Sequence, residues 1–245
     1  MSQKLRPAII AFSGLIIYSA LCISLGYLPM DDIYVRLIAK CFIILLGSVY
    51  IKTVLRYPPV FDKPSVKYVM SAAVAIVIFV FASLFTSLWF VANTSLSEVT
   101  YASDHILLSV FISVVLTPVA EELIFRGFMY GQLAYYNKTI ALVISTIVFA
   151  LYHGTFIHLY TATLGGLILC CIYAKTKKLR YSIVFHSLFN ALTMLLSLVD
   201  YADWFSSSVC VLLINIACVI SIIVLFVLKA YDKPYYENNV SISAR

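Results

Sequence analysis

Charge is what this chain has least of. Only 11% of its 245 residues are charged and 63% are hydrophobic, where a soluble domain usually carries about a quarter charged residues. That excludes a soluble globule of this length, which could not cover its surface, and fits a chain solvated by lipid. Metal and disulfide frameworks are missing too. The six cysteines (22, 41, 170, 171, 210 and 218) all fall in apolar stretches. None has the spacing of a metal ligand set or of an outer disulfide framework, so they read as small apolar packing residues. Internal repeats, low-complexity tracts and polar domains are absent as well, and the chain reads as one membrane domain, 1–245.

What is present is a series of apolar runs, at roughly 8–28, 33–51, 68–92, 106–128, 139–157, 159–174, 181–199 and 205–228. Each is near the ~20 residues a helix needs to cross the hydrocarbon core. Lys4 and Arg6 precede the first run, as in a signal peptide, but the run is too long for a cleaved segment and is expected to be retained. Basic residues then set the orientation. With the N-terminus inside, inner segments hold Lys4, Arg6, Lys52, Arg56, Lys63, Lys67, Arg126, Lys138, Lys175, Lys177, Lys178, Arg180, Lys229, Lys233 and Arg245. Outer segments hold Asp31, Asp32, Glu98, Asp104, Asp200 and Asp203, with no Lys or Arg. This partition predicts an all-α polytopic protein of the cell membrane, with eight helices and both termini cytoplasmic. The net charge of +6 is accounted for by inner loops facing anionic lipid, so the bilayer is a partner and nucleic acid is not.

Against that background the stretch PVAEELIFRG, residues 118–127, stands out, because ionisable groups inside a span are costly and point to function. Glu122 and Arg126 are four apart and can pair on one helix face. Glu121 points about 100° away, so it cannot share that arginine equally. A carboxylate beside another in low dielectric has a raised affinity for a proton, as a general base working near neutral pH requires. Pro118 is expected to kink the helix and admit water near this turn. His153, well inside the fifth span with Phe149 one turn before it, and His186, in the seventh with Asn190 one turn after it, add a second proton carrier and hydrogen-bond donors for an oxyanion. Arg36 and Lys40 receive no role from the sequence; Arg36 could pair with Asp31 or Asp32, and Lys40 could line a cavity.

Glu121-Glu122-x-x-x-Arg126, Phe149-x-x-x-His153 and His186-x-x-x-Asn190, in that order on three separate spans, resemble the three motifs of the CAAX protease and bacteriocin-processing family of intramembrane endopeptidases, also called Abi proteins or type II CAAX prenyl endopeptidases. The motif-bearing part runs from about 105 to 195. The resemblance implies eight helices around a cavity open to the cytoplasm. By the same analogy Glu121 activates a water with help from His153, His186 and Asn190 hold the oxyanion, and Glu122, Arg126 and Phe149 support them. It favours a metal-independent mechanism, with zinc at Glu121, His153 and His186 as the alternative.

The implied substrate is a peptide, membrane-tethered or lipid-modified, in bacteriocin or pheromone maturation or in immunity. A non-proteolytic regulator or bacteriocin-immunity protein that binds a membrane partner, such as a sensor, is the rival reading. A transporter is a weaker one, since no paired interrupted helices in matching halves support it. The short chain, without an organelle-targeting segment, is expected to be bacterial.

Overall fold

The computed structural model of the chain describes residues 5–27, 31–54, 105–134, 136–154, 156–196 and 216. Among these every regular element is helical: α1 (Leu5–Gly26), α2 (Asp32–Val54), α3 (Ile106–Leu133), α4 (Lys138–Tyr152), α5 (Phe156–Thr176) and α6 (Leu179–Leu196). They match the first, second, fourth, fifth, sixth and seventh expected spans. The third and eighth, 68–92 and 205–228, lie outside the described residues, and so do both termini. Ile9–Gly26 and Ile106–Leu133 are each long and apolar enough to cross a membrane.

Polarity is distributed inside-out. Leu107 is 83% exposed, and Ile16, Ile23, Leu45, Leu151 and Leu195 also face outward. The charged or polar side chains of Lys40, Glu121, Glu122, Arg126, Ser145 and His186 are buried instead. In water that arrangement would be penalised on both counts; in lipid an apolar exterior is the solvated one.

Helix α3 is central. It packs against α1, α2, α4 and α6, and its residues Ile124, Phe125, Met129 and Tyr130 form the middle of the core with Ala39, Ile43, Phe149 and Cys170. It is not regular: residues 112–116 and 123–130 adopt the wider π-helical turn on either side of an α-helical turn, Thr117–Glu122. Pro118 accounts for the first departure. The backbone N–H of Thr117 donates to the carbonyl of Ile112, five residues back. In that register the carbonyl of Ser113 faces the nitrogen of Pro118, which has no hydrogen to give. The carbonyl is satisfied from another helix, by the Asn190 side chain, whose Nδ2 donates to it at 2.8 Å. Pro118 thus acts through a widened turn and a freed carbonyl, and a buried backbone acceptor must find such a partner.

The ends of α4 are readable locally. Asn137 caps its start, Oδ1 accepting from the N–H groups of Thr139 and Ile140. Its C-terminus comes earlier than the span expected at 139–157. Gly154 adopts φ +71°, the left-handed conformation that closes helices, and the N–H groups of His153 and Gly154 turn back onto the carbonyls of Ala150 and Leu151. His153 is therefore at the helix end, not well inside the span. Lys177, in the short link between α5 and α6, is also left-handed at φ 55° and lies over the Tyr130 ring, 5.2 Å from its centre.

Candidate functional site

The α-helical turn of α3 delivers the two carboxylates into the interior in different directions. Glu122 meets Arg126 one turn later on its own helix, Nη1 to Oε1 at 2.7 Å, and both side chains are fully buried. The other terminal nitrogen of the arginine, Nη2, donates to the backbone carbonyl of Gly166 on α5 at 2.8 Å. The guanidinium also lies over the Phe149 ring of α4, 4.5 Å from its centre. The expected pair is present, and it joins three helices.

Gly166 was not singled out by the sequence reading, and this contact requires it. A Cβ there would stand 2.7 Å from Cδ1 of Phe149. The ring has little room to retreat, because Phe125, His153 and His186 pack around it at centroid distances of 5.0, 4.6 and 5.9 Å. The Gly165-Gly166 pair inside an apolar span was the available signal, since small residues let helix backbones approach closely.

Glu121 faces the other way. Its Oε1 lies 3.5 Å from Nζ of Lys40 on α2. This is an ion pair at the long limit of hydrogen bonding. Its Oε2 is buried without a hydrogen-bond partner, 3.8 Å from Nε2 of His186. Lys40 is the second residue whose part in the site the sequence left open. Its ammonium also lies over the Tyr18 ring of α1, 5.0 Å from the centre, and Tyr18 in turn packs on Tyr152 of α4. Sequence reading gave Glu121 only a like-charged neighbour; the structure adds an opposite charge.

His186 of α6 sits between the two carboxylates. Its Nδ1 is 3.0 Å from Oε1 of Glu122. A carboxylate there, already bonded to Arg126, only accepts, so Nδ1 carries the hydrogen and Nε2 is presented to Glu121. His153 is oriented the same way by a different partner. Its Nδ1 donates to the carbonyl of Phe149 at 2.8 Å, which leaves Nε2 as the acceptor in the neutral ring. Asn190 reaches α3 but spends one amide hydrogen on the carbonyl of Ser113; a second hydrogen stays on the same nitrogen.

The geometry therefore gathers Glu121, Glu122, Arg126, Phe149 and His186 around one buried point, with His153 against Phe149 and Asn190 on the adjoining turn of α3. Among the described residues no group of three His, Cys, Asp or Glu side chains stands close enough together to hold a metal ion. Chemically, the arrangement offers a free carboxylate oxygen beside an imidazole nitrogen, braced by a buried ion pair. That can move a proton from water.

The segment that carries this constellation is similar to known proteins. Residues 103–192 match the family described as "Type II CAAX prenyl endopeptidase Rce1-like". The chain is 32% identical over 94 residues to the "Putative membrane peptidase YdiL" of Bacillus subtilis (strain 168). It is 30% identical over 100 residues to the "UPF0177 protein YxdF" of Lactococcus lactis subsp. lactis (strain IL1403). These matches cover 37% and 40% of this chain, and 38% and 55% of the two relatives. No solved structure matches the chain. The resemblance read from the three motifs is borne out over the segment that carries them, and α1 and α2 lie outside that segment.

Proposed function

We propose that this chain is a membrane-embedded endopeptidase in which Glu121 is the general base. One observation carries the reading: Oε2 of Glu121 is buried, has no hydrogen-bond partner and lies 3.8 Å from an imidazole nitrogen, while Glu122, whose Oε2 is also without a hydrogen-bond partner, has its Oε1 bonded to both Arg126 and His186. Glu121 takes a proton from water, and the hydroxide adds to the scissile carbonyl. The developing oxyanion accepts hydrogen bonds from the second amide hydrogen of Asn190 and from Nε2–H of His186 once that ring carries a proton on both nitrogens, with His153 assisting the transfer. The proton then passes to the leaving amine. Glu122, Arg126 and Phe149 hold these groups in place.

The substrate on this reading is a membrane-associated peptide, and the relative named as a membrane peptidase supports that class. No metal takes part; zinc at Glu121, His153 and His186 is the alternative, and it is separated by chelation. Both termini face the cytoplasm in an eight-span arrangement. A reporter fused in the 93–104 loop should therefore behave as external.

The test is cleavage by protein purified in detergent. The probes are fluorogenic peptides with and without a C-terminal prenyl group, incubated with wild type and with Glu121→Gln, each with and without a strong chelator. Cleavage by wild type, unaffected by chelation and about 10²–10⁴-fold slower in the variant, is the expected result. Loss on chelation with recovery on zinc alone contradicts the metal-independent mechanism. Absence of cleavage with every peptide, in protein that still binds a membrane partner, favours the regulator or immunity reading.

A further inference from the structure

Lys40 lies outside the segment shared with the family, on a helix with no motif residue, 81 positions from the glutamate it meets. It is nonetheless buried, at 5% exposure. Carrying a lysine to this depth is expensive unless it is paired, and snorkelling to the interface is the usual escape for a long side chain in a membrane helix. Lys40 does not escape. It turns inward, lies over the Tyr18 ring and stops at Oε1 of Glu121.

We propose that Lys40 is a positioning residue of the site: its ammonium holds Oε1 of an ionised Glu121, so that Oε2 is the oxygen left to take the proton of water. This rests on the endopeptidase reading and names a residue that the reading lacked. The groups facing Glu121 make the assignment specific. On its own helix Glu122 and Arg126 neutralise each other at 2.7 Å. From α6 comes His186, whose Nδ1 is tied to Glu122. From the end of α4 come His153 and Tyr152, and Tyr18 of α1 packs against Tyr152 and Lys40. Among these described neighbours the permanent cations are Arg126, paired with Glu122, and Lys40, paired with Glu121. Without it, Glu121 would be a lone charge beside Glu122 in a low-dielectric interior, where a proton is taken up instead.

Holding one oxygen has a geometric consequence as well. The ammonium fixes the rotation of the carboxyl group, which directs Oε2 toward His186. At 3.5 Å the contact is loose enough to lengthen or tighten as Glu121 gains and loses charge during turnover. The tight 2.7 Å bond of Glu122 to Arg126 leaves no such play.

The experiment reads the protonation of Glu121 directly and does not depend on a substrate. Infrared spectra of the full-length protein in lipid bilayers are recorded at neutral pH for wild type, Lys40→Met, Lys40→Gln, Lys40→Arg, Glu121→Gln and the double variant Lys40→Met/Glu121→Gln. A protonated-carboxyl band should appear in Lys40→Met and Lys40→Gln, be missing from wild type and from Lys40→Arg, and vanish in the double variant. Two uncharged variants are used so that one that misfolds does not decide the matter. Identical carboxyl spectra in wild type and a folded, uncharged variant would overturn the proposal, as would a band that persists in the double variant. In parallel, cleavage of the fluorogenic peptides should fall about 10²-fold in Lys40→Met, as misplacement of a reacting group does, and recover in Lys40→Arg. If the wild type cleaves no peptide, the endopeptidase reading fails while the infrared result still decides the role of Lys40.

Discussion

Glu121 and Glu122 are neighbours in the chain and opposites in the structure. Glu122 is fully buried, bonded to Arg126 at 2.7 Å and to His186 at 3.0 Å, and through Arg126 it is tied to Gly166 of α5. Glu121 has only longer contacts, an ion pair at 3.5 Å and an imidazole at 3.8 Å, and in both glutamates Oε2 is buried without a hydrogen-bond partner. The first side joins α3, α5 and α6 with short bonds inside the motif-bearing segment. The second side looks toward α1 and α2 across longer distances. A helix that must both hold a fold together and exchange protons can give each task its own carboxylate. The angular step between successive helical residues keeps the two apart.

The firmest attack on this contrast is to break the tight side. Replacing Arg126 with Met leaves Glu122 buried without its cation, and losing one partner of a buried pair costs about 3–5 kcal/mol. The variant should be recovered in low yield and unfold at a clearly lower temperature. A normal thermal midpoint would mean that the Glu122–Arg126 pair does not hold the helices.

Gly166→Ala tests the same side by packing alone. Its Cβ would meet the Phe149 ring at 2.7 Å, with Phe125, His153 and His186 behind that ring. Overpacking of this kind costs about 1–3 kcal/mol. Thermal unfolding should show it, and Phe149→Leu in the same chain should return part of the loss by making room.

The smallest effect lies away from both carboxylates and serves as a control. Burial and the nearby charge of Lys138 bring Lys177 down from 10.5 to about 8. Between those values the unfolded chain binds the proton that the folded chain has released, so stability rises as pH rises from about 8 toward 10.5 and is lost again as pH falls to 8. Thermal midpoints measured across that window should climb in wild type, with a shallower slope in Lys177→Met. Equal slopes would remove Lys177 as the cause.

The sequence made the tight side readable and left much of the loose side dark. Glu122 and Arg126 pair because they are one turn apart, and Phe149 with His153 follows the same local rule, now seen as a ring contact at 4.6 Å. Pairing between Lys40 and Glu121 obeys no spacing rule, since it arises only when α2 is laid against α3. Gly154 ended α4 sooner than the apolar run suggested, because a single left-handed residue outweighs hydropathy at a helix end. The freed carbonyl of Ser113 was likewise invisible, although Pro118 was noticed, because its partner Asn190 lies on another helix.

The central claim is that the two carboxylates have separate duties, and one paired measurement tests it: turnover of a cleaved peptide and the thermal midpoint, both recorded for Glu121→Gln and for Glu122→Gln. The account predicts that Glu121→Gln keeps a midpoint near that of wild type, since a neutral amide is easier to bury than a charge, while turnover falls about 10²–10⁴-fold. It predicts that Glu122→Gln loses its fold first, its midpoint dropping with the buried Arg126 left unpaired. Near-normal cleavage by Glu121→Gln, together with a folded but inactive Glu122→Gln, would contradict it and reverse the two roles.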